Sequence, residues 1–163
     1  MTTTDWSHLF NNHNTSPQTD DATMSRPRTS ATLRTPPAPI PTISDLENTL
    51  HLTALPALGP NIFTNTRPQW LPSGARGIYG GAVIAQSLIA AQHTVPEGFL
   101  PHSMHCFFVL AGNPHVPLLY HVDVIREGRS FHTRTIEARQ GGKRIFVCTV
   151  SFTIPVVCTK IKY

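Results

Sequence analysis

The stretch that most limits what this chain can fold into is "GIYGGAVIAQSLIAAQHTV", residues 77 to 95. It opens on two adjacent glycines and then runs apolar for several turns. Gly81, Ile84, Leu88, Ala91 and Val95 recur at helical spacing and form one stripe. Val83, Ile89 and Ala90 carry apolar surface round to other faces, and only Gln86 and His93 mark a polar line. A helix of this kind is buried on most of its sides. The spacing predicts it over residues 81 to 95, with Pro96 as the stop. The rest of the domain must therefore wrap around it.

Beyond the helix the chain reads as strand. In "HSMHCFFVL", residues 102 to 110, apolar side chains fall on both parities, the pattern of a strand covered on both faces. "LLYHVDVIREG" places Tyr120, Val122 and Val124 on one face, and "SFHTRTIEARQ" comes after the turn Glu127-Gly128-Arg129. Gly141-Gly142 suits a two-residue hairpin with positive φ at both positions. Beyond it, Phe146, Cys148, Val150, Phe152 and Ile154 alternate with Thr149, Ser151 and Thr153. Ahead of the helix, Ser44-Asp45 starts a short helix that gives way to a strand near residues 50 to 55. A second extended piece lies between Pro60 and Pro68. One long central helix and an antiparallel sheet wrapped around it make an α+β chain with the element order of a hot-dog fold.

Composition sets the boundaries. Residues 1–41 are rich in Ser, Thr, Asn and Pro, end in "RTPPAPIP", and offer no periodic apolar face, so a disordered leader is expected there. The single domain is expected over 42–155, with 156–163 as a divergent tail. Net charge is +4 over 163 residues. The basic residues of the second half, Arg134 among them, are interrupted by acids and read as mixed-sign sheet surface, not a nucleic-acid stripe. No window is long and apolar enough for a membrane span. Three cysteines, Cys106, Cys148 and Cys158, lack zinc spacing, and two sit in apolar runs. That usage fits a reducing, intracellular setting. The piece from Met24 imitates a mitochondrial leader only faintly, and the final "IKY" is not a peroxisomal tripeptide.

With these elements placed, "RGIYGGAVIAQSLIAAQHTVP", "HSMHCFFVLAGNP", "PLLYHVDVIREGRSFHTRTIEARQGGK" and "IFVCTVSFTIP" together resemble the first half of the acyl-CoA thioesterase II family, the TesB-like double hot dogs, in particular its fungal members. The resemblance covers about residues 46 to 155. It implies hydrolysis of fatty acyl-CoA to free acid and coenzyme A, in the peroxisome or cytosol, without a cofactor or metal. It also implies that the family's water-activating Asp, Ser or Thr, and Gln lie in a second hot dog, to which no position here aligns. The pattern stops after Pro155, where "VVCTKIKY" replaces the expected linker.

Four residues are candidates for the ligand site: Gly80, Gly81, Gln86 and His102. The positive end of a helix can stabilise a thioester oxyanion, and glycines let the substrate approach its amides. The other reading of Gly80 and Gly81 is close packing of the helix start on the sheet. Gln86, an amide in an apolar helix, either orients a water near the ligand or satisfies a backbone group of the sheet. His102 matches the first histidine of the family's His-Ser-x-His segment, and a structural hydrogen bond to backbone is its other reading. His102 and His105 fall on opposite faces of a strand and cannot share a metal ion. Asp123 and Glu137, mid-strand with arginines nearby, read as surface ion pairs. Three readings are open: a thioesterase half that needs a second hot dog, a non-catalytic acyl-binding or assembly module, or a truncated product. Either of the first two would leave a sheet edge open, expected at "FHTRTIEARQ" or "RIFVCTVSFTI", and hence a homodimer or pairing with another hot dog.

Overall fold

The computed structural model describes residues 37–155. They lie within a compact unit, Arg34–Tyr163; the other unit, Met1–Leu33, and the tail 156–163 fall outside the described residues, as does most of the expected leader. The five described leader residues, 37–41, engage the domain. Arg67 donates to the carbonyl oxygens of Pro37 and Ala38, and Ile40 exchanges hydrogen bonds with the Asn48 side chain.

Helix α1, Asp45–Leu50, begins with a capping box. The Ser44 hydroxyl accepts from the Glu47 amide, and the Glu47 carboxylate accepts from the Ser44 amide. Strands β1, Leu52–Ala54, and β2, Ile62–Asn65, come next. The central helix α2 spans Gly80–Gln92, and four long strands complete the chain: β3, Leu100–Phe108; β4, Leu119–Glu127; β5, Phe131–Gln140; and β6, Lys143–Thr153. All pair antiparallel in one sheet of order β1-β2-β4-β5-β6-β3. Gly141 and Gly142 make the expected hairpin, with φ of 53° and 77°. The sheet curves over α2 and buries Tyr120, Val122, Ile136, Phe146, Cys148, Val150 and Phe152 against it.

Several details depart from the sequence reading. Helix α2 ends at Gln92, short of Val95. The Thr94 hydroxyl caps the Ala91 carbonyl, and Arg134 holds both the hydroxyl and the carbonyl of Thr94, which turns the chain before Pro96. The deepest face of α2 is Val83, Gln86, Ser87, Ala90 and Ala91, not the stripe through Gly81, Ile84 and Leu88. Small side chains let the helix lie close to the sheet, and a hydrogen-bonded Gln86 can be buried like a hydrophobe. Arg134 is fully buried on the inner face of β5, not on a charged surface. Glu127 and four backbone or hydroxyl oxygens take up its guanidinium. Ile154 lies past the end of β6 and is exposed.

The largest difference is β3. Its sequence pattern calls for cover on both faces, yet only Met104 and Cys106 are even half-buried. Among the described residues it is one of the two edge strands of the sheet, with β1 the other, whereas β5 and β6, where the sequence reading puts the open edge, each have a neighbour on both sides. Apolar residues on both parities do not distinguish a central strand from an edge strand.

Candidate functional site

The chain leaves β3 at Phe108 and turns back through Ala111 and Gly112, against the loop that leads into α2. Ile78 donates its amide to the Gly112 carbonyl at 3.1 Å, and Tyr79 to the Trp70 carbonyl at 3.0 Å. The two loops run backbone to backbone. A Cβ on Gly77 would lie 3.1 Å from the Gly112 oxygen. Between them opens a groove of about 460 Å³, walled by Ile78, Val83, Phe108, Val109, Leu110, Ile145 and Phe146, with the start of α2 at Gly80 on one side.

The lining is apolar. Arg76 is its only charged residue, and no carboxylate, imidazole, thiol or hydroxyl side chain among the described residues lines it. The groove can take an alkyl or thioester segment and offer one cation at its rim. Among the described residues it holds no group that could remove a proton from water.

Gly80 sits under the ring of Phe108, and a Cβ there would come within 2.9 Å of Cζ. The N-cap residue of α2, Tyr79, makes no side-chain capping bond; the Ala82 amide donates to the Tyr79 carbonyl at 3.1 Å, and Gly80, the first residue of the helix, borders the groove. Gly81 faces elsewhere, with the Tyr79 ring 2.5 Å from where its Cβ would be. Close packing is thus visible at both glycines, and in each case the neighbour is the far end of an exposed aromatic side chain.

Gln86 lies apart from the groove, fully buried beneath β4. Its Oε1 accepts from the Tyr120 hydroxyl at 2.6 Å and from Gln69 Nε2 at 2.5 Å, and its Nε2 donates to the Thr49 carbonyl of α1 at 3.1 Å. It satisfies a backbone group as the second reading required, but of α1 and not of the sheet. Burial raises the pKa of the Tyr120 phenol far above its ordinary value, which keeps it a donor to Gln86.

His102 is exposed near the far end of β3. Its Nε2 lies 3.0 Å from the Ser151 hydroxyl and its ring meets Phe131 edge-on, so its partner is a side chain and not backbone. Of the four candidates, only Gly80 lines the groove; the other three are placed in three different surroundings. Glu137 pairs with Arg139 and, at 2.6 Å, with Arg144. Partial burial would raise its pKa, but the hydrogen bonds and charges of the two arginines outweigh that and hold it below the usual carboxylate range. Asp123 is exposed.

Sequence reasoning missed Arg76, Gly77 and the Ala111-Gly112 turn. The signal was present in "FFVLAGNP", where an apolar run ends abruptly in two small residues. It also missed Gln69 and Tyr120 as partners of Gln86, because a buried amide does not announce its partners along the chain.

A family profile described as "Acyl-CoA thioesterase N-terminal domain" matches residues 67–153, which include the groove, both glycines, Gln86 and His102. A mouse protein named acyl-coenzyme A thioesterase 8 is 49% identical over 86 residues, covering 53% of this chain and 27% of its own length. The yeast peroxisomal acyl-coenzyme A thioester hydrolase 1 is 37% identical over 112 residues, covering 69% of this chain and 31% of its own. Among solved structures, the tesB protein of Mycobacterium avium subs paratuberculosis superposes with a TM-score of 0.59 at 35% identity, covering 73% of this chain and 46% of that one. A hot-dog protein from Alicyclobacillus acidocaldarius, 19% identical with a TM-score of 0.58, agrees in fold. This chain spans about a third of the length of such curated relatives.

Proposed function

This chain belongs to the family of acyl-CoA thioesterase N-terminal domains, and from that premise we propose that it serves as one hot dog of a fatty acyl-CoA hydrolase. The observation that carries the reading is the apolar groove beside the start of α2, where the N-cap residue supplies no side-chain acceptor. An acyl thioester laid there would have its chain against Ile78, Val83 and Phe108, its carbonyl near the α2 amides beside Gly80, and Arg76 toward the anionic coenzyme. Hydrolysis adds water across the thioester, and its oxyanion is favoured by amides already in place. The proton acceptor must come from outside this groove. The second hot dog is its source in this reading, and Gln86 and His102 act by supporting the fold.

Pairing belongs to the same proposal. Among the described residues no strand pairs with the outer edge of β3, and Leu100, Phe107 and Phe108 are exposed there. A second hot dog, in another copy of this chain or in a longer partner, would add to that edge and cover it. The name of the yeast relative supports a peroxisomal setting, with the cytosol as the other compartment of this reading. Among the described residues no helix is long and apolar enough to cross a membrane.

That no proton acceptor among the described residues lines the groove also favours a second reading, a non-catalytic acyl-binding module. Palmitoyl-CoA separates the two. The thioesterase reading expects saturable binding and, for the chain alone, thiol release about 10³- to 10⁶-fold below a full-length relative. Activity must then return when a second hot dog is supplied. Binding that never leads to release favours the module. No binding of palmitoyl-CoA or of its non-hydrolysable thioether contradicts both.

A further inference from the structure

Cys106 on β3 and Cys148 on β6 are direct partners across the ladder. The type of pair is set by the hydrogen bonds nearby. Val109 donates its amide to the Ile145 carbonyl at 2.8 Å, so Val109 and Ile145 form a hydrogen-bonded pair. Register is continuous from Ser103↔Ser151 to Phe108↔Phe146, and the two pair types alternate. Phe107↔Val147 and His105↔Thr149 are therefore hydrogen-bonded pairs, whereas Phe108↔Phe146 and Cys106↔Cys148 are of the closer kind. The Phe108 and Phe146 rings, 4.9 Å apart between centroids, agree. Facing Cα atoms at such a pair lie about 4.5 Å apart with both side chains on one face, inside the range a disulfide spans. Both cysteines point toward α2; Cys148 belongs to the core and Cys106 packs against it.

We propose that Cys106 and Cys148 form a cross-strand dithiol that peroxide closes to an intramolecular disulfide, stapling the edge strand to the sheet. The half-buried Cys106 is the sulfur that reagents reach. Its thiolate attacks the peroxide O–O bond, becomes a sulfenic acid and releases one water once protonated. The Cys148 sulfur, deprotonated as it attacks, then forms the S–S bond. The S–O bond breaks and a second water leaves. Two thiols thus lose two electrons to one peroxide and no other reactant is needed. Burial, and then the neighbouring Cys106, push the Cys148 thiol up to about 12. The second step is therefore slow at neutral pH and quickens as pH rises. The staple lies two residues from Phe108, so it fixes the strand that carries one wall of the groove.

The dithiol is independent of the proposed activity. The full chain carrying Cys158→Ser is treated with hydrogen peroxide, its remaining thiols are blocked, and it is digested without reductant for mass spectrometry. The same digest of the unsubstituted chain serves if that variant expresses poorly. The expected result is a peptide cross-linked between Cys106 and Cys148, loss of both thiols together, closure that accelerates above pH 8, and reversal by dithiothreitol. The oxidised form should also melt about 5 °C or more higher. Retention of both thiols, oxidation of Cys106 beyond sulfenic acid with Cys148 untouched, or cross-links solely between chains or to Cys158 would overturn it.

Discussion

The two flanks of helix α2 are built to different standards. On the flank under β4, β5 and β6, Gln86 has three partners and Arg134 spends its whole guanidinium on oxygens of β4, β5 and the α2 C-terminal turn. On the flank under β3 the same helix faces a groove, and the strand with the loop after it leaves Leu100, Phe107, Phe108, Val109 and Leu110 exposed. The first flank is a closed domain interior, and the second is an open, apolar one. One helix thus serves both as the core of its own domain and as the floor of an open groove.

That contrast can be broken at its strongest point first. Gln86→Leu keeps the volume but strands the Tyr120 hydroxyl, the Gln69 amide and the Thr49 carbonyl, and should lower stability by about 3 kcal/mol in urea unfolding. A loss under about 1 kcal/mol would mean that the closed flank is held by packing alone.

On the open flank the alternation of pair types assigns each amide of β3. Those of Ser103, His105 and Phe107 point to β6, and those of Met104, Cys106 and Phe108 point to the free side. Met104→Pro therefore removes an outward donor and leaves the β6 ladder whole. It should cost about 1–2 kcal/mol, mostly from lost packing, yet abolish pairing as read by sedimentation. His105→Pro cuts the ladder itself and should lower stability more than Met104→Pro does. Equal effects of the two would remove the assignment of the edge.

Smaller still is the ion pair on the outer face. Since the folded pKa of Glu137 is depressed, its contribution is fully present above the unfolded value near 4.3 and fades as pH falls through the folded one. Glu137→Gln should cost about 1 kcal/mol at pH 7 and nothing once the wild-type carboxyl is protonated. A cost independent of pH would point to hydrogen bonding without charge.

Gly80→Ala sharpens the comparison with the least change in stability. The added methyl meets an exposed, movable Phe108 ring, and alanine favours the helix, so stability should stay within about 0.5 kcal/mol. Palmitoyl-CoA binding should weaken, because the methyl enters the groove. Unchanged binding would leave packing as the reason for the glycine.

Much of the closed flank could be read from the chain. The Gly141-Gly142 turn, the β6 alternation from Phe146 to Phe152 and the existence of the apolar helix all express local rules of twist and period. The turn and the alternation stand where those rules put them, whereas the helix stops three residues early and buries a different face. The edge could not. Which strand lies outermost depends on how β3 returns across the sheet to sit beside β6, and no local pattern encodes that return. Buried Arg134 was hidden for a related reason. Its partners come from Thr94, forty residues earlier, and from the β4 backbone, so in sequence it reads as one more surface charge. At the site, Gly80 was visible because a glycine pair is a poor start for a helix. The groove's far wall, made by the loop after β3, was not.

Whether the β3 edge is a docking edge decides between a finished domain and half of a larger one, and amide hydrogen exchange across a range of chain concentrations reads it directly. The amides of His105 and Phe107 should be protected at every concentration. Those of Met104, Cys106 and Phe108 should exchange fast when dilute and become protected in step with dimer formation at micromolar concentration. A chain that sediments as a monomer throughout, with those three amides always fast or already protected, would contradict the docking edge.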